Sequence, residues 1–201
     1  MYPLFLITYS ILGGGIKYID DAFDTNIFSK KLAYILAPFL AVLGFYCMMI
    51  NPISATILLA IVAGVFIKGK IDNLAFISAF IMVLILALSL GVELMILPLI
   101  LLSAAAILDE IGNDFIDSKK ATLDKDRFIN KFALYYFGHR WVLKTAILFL
   151  VFLNVVPLYF FGAILLFDYS YVAVDVFSKI KRGIITVASP SVISKIACIF
   201  K

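Results

Sequence analysis

LAFISAFIMVLILALSLGV, residues Leu74–Val92, runs for nineteen residues without one charged side chain. As a helix rising about 1.5 Å per residue it reaches about 28 Å, close to the roughly 30 Å thickness of a bilayer's hydrocarbon core. The rest of the chain has the same character. Of its 201 residues 64% are hydrophobic and 15% charged, and the mean hydropathy is +1.11. Soluble domains hold about 45–50% apolar and 25% charged residues, and a globule of this size must cover its surface with polar groups. A soluble enzyme, a disordered chain and a disulfide scaffold are excluded. Cys47 and Cys198 suggest neither a disulfide framework nor a metal site.

Further apolar runs lie on both sides: Met1–Ile19, Leu32–Ile50, Pro52–Ile67, Leu94–Leu108 and Trp141–Val176. The first has no basic leader and no small-residue cleavage site, so it is expected to stay as a helix. The last is too long for one crossing, and Asn154 and Pro157 near its middle predict a hairpin. The sequence thus predicts an all-α, polytopic transmembrane helical bundle of about seven spans, a single membrane domain over residues 1–201. Lysine and arginine orient it. In this reading all 17 basic residues fall in connections on one side, whereas the opposite side receives Asn51-Pro52, Glu93 and Asn154–Pro157. The positive-inside rule then places the N-terminus outside and the large loops in the cytoplasm, as expected of a multi-pass protein of the cell membrane.

The acids, thirteen in all, gather in clusters on the basic side, Glu93 excepted. One follows the first span, Lys17-Tyr18-Ile19-Asp20-Asp21-Ala22-Phe23-Asp24 with Lys30 and Lys31 beyond. Another follows the fifth span, Asp109-Glu110-Ile111-Gly112-Asn113-Asp114-Phe115-Ile116-Asp117 with Lys119 and Lys120 beyond. If these stretches continue their helices, Asp20 and Asp24, and likewise Glu110 and Asp114, share a face at i,i+4. Carboxylates so spaced repel unless a cation lies between them, and oxygen donors suit Mg²⁺. Acids for Mg²⁺ with lysines for phosphate oxygens are the parts of a diphosphate site. The plainer reading is that of solvated helix ends in which acids and lysines neutralise one another.

The order of these parts resembles the UbiA-type intramembrane prenyltransferases, which carry two aspartate-rich motifs in cytoplasmic loops separated by four helices. Asp20-Asp21-Ala22-Phe23-Asp24 looks like the first motif, Asn-Asp-x-x-Asp, with Asp20 in place of asparagine. Glu110 to Asp114, continuing to Asp117, looks like the second, and Asn113–Asp117 repeats the spacing of the first. The resemblance implies Mg²⁺-dependent transfer of a prenyl group from a polyprenyl diphosphate to a lipid or aromatic acceptor within the membrane. Asp20, Asp21 and Asp24 would hold one Mg²⁺ and Glu110, Asp114 and Asp117 another. Lys17, Lys31, Lys68, Lys70, Lys119 and Lys120 would supply charge for the diphosphate. No sequence feature assigns a catalytic base.

Other features have plainer explanations. His139 is the one histidine and reads as an interfacial anchor beside Arg140 and Trp141. Gly13-Gly14-Gly15 and Ala104-Ala105-Ala106 suit close helix approach. Asp168 falls inside the last span and Asp175 near its cytoplasmic end. Residues 128–136 suggest a short interfacial helix, and 183–201 an amphipathic tail on the membrane surface, interrupted at Pro190. Membrane lipids are the expected partners, and no basic patch with interleaved aromatics points to nucleic acid. The alternative function is that of a non-enzymatic polytopic protein, a small transporter or a subunit of a membrane complex.

Overall fold

A computed structural model describes residues 2–69, 73–119 and 127–183. Among them the regular structure is all helical: α1 (Tyr2–Asp24), α2 (Lys30–Ile50), α3 (Pro52–Ile67), α4 (Leu74–Leu90), α5 (Ile96–Lys119), α6 (Phe128–Gly138), α7 (Trp141–Phe152) and α8 (Leu158–Lys181). Three stretches are long and apolar enough to cross a membrane: Lys30–Ile50, Ile96–Ile116 and Leu158–Lys181. α3, α4 and α7 are equally apolar but shorter, at 16, 17 and 12 residues. Phe39 of α2, Leu88 of α4 and Leu97 and Ile100 of α5 are exposed, a distribution that suits lipid.

Local chemistry sets the boundaries. Asn51 caps α3, its Oδ1 accepting from the amides of Ile53 (2.8 Å) and Ser54 (3.2 Å), and Pro52 takes the first helical position. The expected break in the last apolar run is present. α7 ends at Phe152, Asn154 turns the chain in the left-handed region at φ 57°, and α8 starts after Pro157. Asparagine tolerates that conformation better than most residues. The expected short helix is α6. Lys70, Lys120 and the tail from 184 onward lie outside the described residues.

The described residues form two compact units. The first comprises α1, α2 as far as Gly44, Asn73–Ile85 and α8 from Gly162. Here α1 runs antiparallel to α2, with Leu12 beside Gly44, Gly15 beside Leu40 and Phe23 edge-on to Tyr34. It runs parallel to α8: Leu6 lies beside Gly162, Ser10 shares a 2.5 Å hydrogen bond with Ser170, and Lys17 reaches Asp175. Phe5, Tyr9, Leu12 and Ile19 form the buried stripe of α1. The glycine run permits the close approach its composition suggested. A Cβ at Gly13 would collide with the Phe167 carbonyl, and one at Gly15 would stand 2.5 Å from Leu40 Cδ1.

The second unit comprises the chain from Phe45 through α3, and Leu86–Phe161. α3 and α5 run parallel in close contact. Thr56 Oγ1 accepts from the Met95 amide at 3.1 Å, a Cβ at Gly64 would meet Ala106 Cβ at 2.8 Å, and Lys68 pairs with Asp114. α6 and α7 both pack on α5. Leu102, Ile147 and Leu150 are buried there.

Candidate functional site

Both acid-rich stretches continue their helices, so the shared faces expected from i,i+4 spacing are formed: α1 extends to Asp24 and α5 to Lys119. In the first unit the centre of the cluster is a lysine. Lys17 Nζ lies 3.1 Å from Asp20 Oδ2, 3.2 Å from Asp21 Oδ1 and 3.5 Å from Asp175 Oδ1. Asp175 in turn pairs with Lys179, one turn further along α8. Three carboxylates face two ammonium groups, leaving one negative charge. Asp21 is only 2% exposed, and its Oδ2 has no hydrogen-bond partner; the buried Ser178 Oγ has none either. Asp24 is exposed at the helix end, and Lys30 and Lys31 are exposed at the start of α2.

Asp175 was not among the residues expected here. Its signal lies in the stripe Tyr171, Asp175 and Ser178 of α8, at i, i+4 and i+7. Lys17 stands 5.3 Å from the Tyr171 ring centroid. What the sequence did not give was that this stripe faces α1.

In the second unit the acids go to separate partners. Asp109, buried, accepts from the amides of Val142 (Oδ1, 2.9 Å) and Leu143 (Oδ2, 2.7 Å). It thus caps the first turn of α7, where Arg140 at the N-cap makes no side-chain cap bond. Buried Glu110 pairs with Arg140 at 3.2 Å, and that arginine holds a left-handed backbone at φ 52°. Exposed Asp114 pairs with Lys68 at 3.0 Å. Asp117 lies in the last turns of α5, and Lys119 Nζ stands 4.6 Å from the Phe115 ring centroid. Buried Lys144 donates to the His139 carbonyl, while His139 Nδ1 lies 2.9 Å from the Tyr135 carbonyl. The histidine therefore belongs to the turn between α6 and α7.

Among the described residues no three Asp, Glu, His or Cys side chains form a group that could hold a metal ion. In the first cluster the Lys17 ammonium lies among the carboxylates of Asp20, Asp21 and Asp175. Mg²⁺ usually binds through one or two carboxylates plus substrate phosphates, and seldom through an all-protein cage. In the first cluster Asp21 Oδ2 is buried without a partner, one turn before exposed Asp24. No family model, curated protein or solved structure matches the chain.

Proposed function

We propose that this chain is a seven-span membrane protein, N-terminus outside, that binds a polyprenyl diphosphate and transfers the prenyl group to a lipid or aromatic acceptor. The observation that carries this reading is shared by α1 and α5. Each apolar helix ends in a buried carboxylate (Asp21, Glu110) followed one turn later by an exposed one (Asp24, Asp114), with a basic side chain of the chain in ion-pair reach. Ionisable groups at such places are costly in a membrane protein and commonly mark a site. Helix directions support the topology: α1 antiparallel to α2 and parallel to α8, and α3 parallel to α5, as alternate crossings require if α6 does not cross.

In this reading Asp20, Asp21 and Asp24, and Glu110, Asp114 and Asp117, would supply carboxylate oxygens to Mg²⁺. The metal's contribution would be to offset charge on the leaving group. Lys17 and Lys68 already stand among these acids, and their ammonium groups supply point charges for phosphate oxygens. The apolar helix faces take the prenyl tail.

A second reading, a non-enzymatic membrane-complex subunit, is favoured by one observation. Lys17, Lys68 and Arg140 neutralise the acids from within the chain, as solvated or structural helix ends require. Thermal stability of detergent-purified protein with geranylgeranyl diphosphate, with and without Mg²⁺, separates the two. A ligand bound only to the folded state adds about 2.7 kcal/mol at a hundred times its dissociation constant. Prenyl transfer requires a Mg²⁺-dependent stabilisation that disappears in Asp21→Asn/Asp24→Asn and in Asp114→Asn/Asp117→Asn. No such shift with any of several prenyl chain lengths leaves the subunit reading.

A further inference from the structure

α6 is eleven residues long, about 16 Å of helix, and so about half of what a crossing needs. It has no buried residue. One side rests on the second unit, where Phe137 lies against Gly112 of α5 and Tyr136 shares a 2.8 Å hydrogen bond with Thr145 of α7. Phe128, Phe132 and Tyr135, at i, i+4 and i+7, lie on the side opposite Phe137. They are 80%, 55% and 52% exposed, and neighbouring Ile129 is 77% exposed. A helix this short with an open aromatic face does not stand alone in water.

Charge identifies what covers it. Between Lys119 and Lys131 the sequence carries Lys119, Lys120, Lys125, Arg127 and Lys131 against two acids, Asp124 and Asp126. Arg127 immediately precedes α6, and Lys131 is exposed within it. An aromatic face preceded by Arg127 and carrying exposed Lys131 matches an anionic lipid surface. Aromatic rings favour headgroup depth, and each basic residue near an anionic leaflet contributes about 1 kcal/mol.

We infer that α6 is a lipid-surface helix whose Phe128–Phe132–Tyr135 face lies in the headgroup layer of an anionic leaflet, held there by Arg127 and Lys131. This does not depend on prenyl transfer. The test uses the full chain with Cys47→Ala, Cys198→Ala and Phe132→Cys, labelled at position 132 with an environment-sensitive fluorophore. It is reconstituted in phosphatidylcholine vesicles with or without one quarter phosphatidylglycerol. A nitroxide near the headgroup should quench the label more than one near the acyl terminus. That quenching should be at least about twofold stronger with phosphatidylglycerol, and Arg127→Gln/Lys131→Gln should reduce the difference. Stronger quenching by the deep nitroxide, equal quenching in the two vesicle types, or a label that neither nitroxide quenches would each overturn the inference.

Discussion

Gly13 and Gly14 are neighbours on α1 with opposite tolerance for a methyl group. A Cβ at Gly13 collides with the carbonyl oxygen of Phe167 and comes within 2.7 Å of its carbonyl carbon and 3.0 Å of its Cα. Those are backbone atoms of α8, which cannot rotate aside as a side chain would. A Cβ at Gly14 meets Val174 Cγ2 at 3.5 Å and Ser170 Cβ at 3.6 Å, ordinary contact. Both Gly→Ala changes gain the same helix preference, about 0.5–1 kcal/mol. Only Gly13→Ala adds overpacking, typically about 1–3 kcal/mol. The difference between the variants therefore isolates the collision. Gly13→Ala should be less stable than Gly14→Ala by about 1–3 kcal/mol, and Gly14→Ala should equal or exceed the parent. Reversible unfolding in mixed micelles, titrating a denaturing detergent, measures both. A Gly13→Ala protein as stable as Gly14→Ala would refute the close approach of α1 and α8.

The ion clusters give two more predictions. Lys17→Met removes the cation from among Asp20, Asp21 and Asp175 and should cost about 3–5 kcal/mol. Adding Asp21→Asn should restore part of that loss, and a double variant no more stable than Lys17→Met would show that the two groups do not interact. Asp109→Ala leaves the amides of Val142 and Leu143 without their acceptor, which should cost about 1–3 kcal/mol, whereas Lys68→Ala, which breaks an exposed pair, should cost under about 1 kcal/mol. The same unfolding titration ranks them, and equal losses would contradict the capping role of Asp109.

Much of the helix content was legible because in long apolar runs it follows from local composition. Pro52–Ile67 has the same limits in the sequence as in the structure, since Asn51-Pro52 is a start signal complete within itself. The turn at Asn154 and the short helix from Phe128 were legible for similar reasons. α1 and α5 run beyond their apolar stretches because the acids that end the hydrophobic run remain compatible with helix. Seven crossings were expected, and three stretches are long and apolar enough for one. α7, with 12 residues, is shortened by the turns on both sides of it.

The candidate site was legible only as a set of residue types. Composition determined a membrane-suited chain, because a mean hydropathy of +1.11 leaves too few polar groups to cover a soluble globule, and the length of the unbroken apolar runs determined its helices. Spacing determined which acids share a face, because helix periodicity is local. Tertiary structure decided the partners. Asp175 joins Lys17 from more than 150 residues away only because α8 lies beside α1, and Asp109 caps a helix 33 residues on because α7 starts beside it. Charge carries no address in the sequence. Which cation neutralises which acid depends on distances that helix packing alone sets.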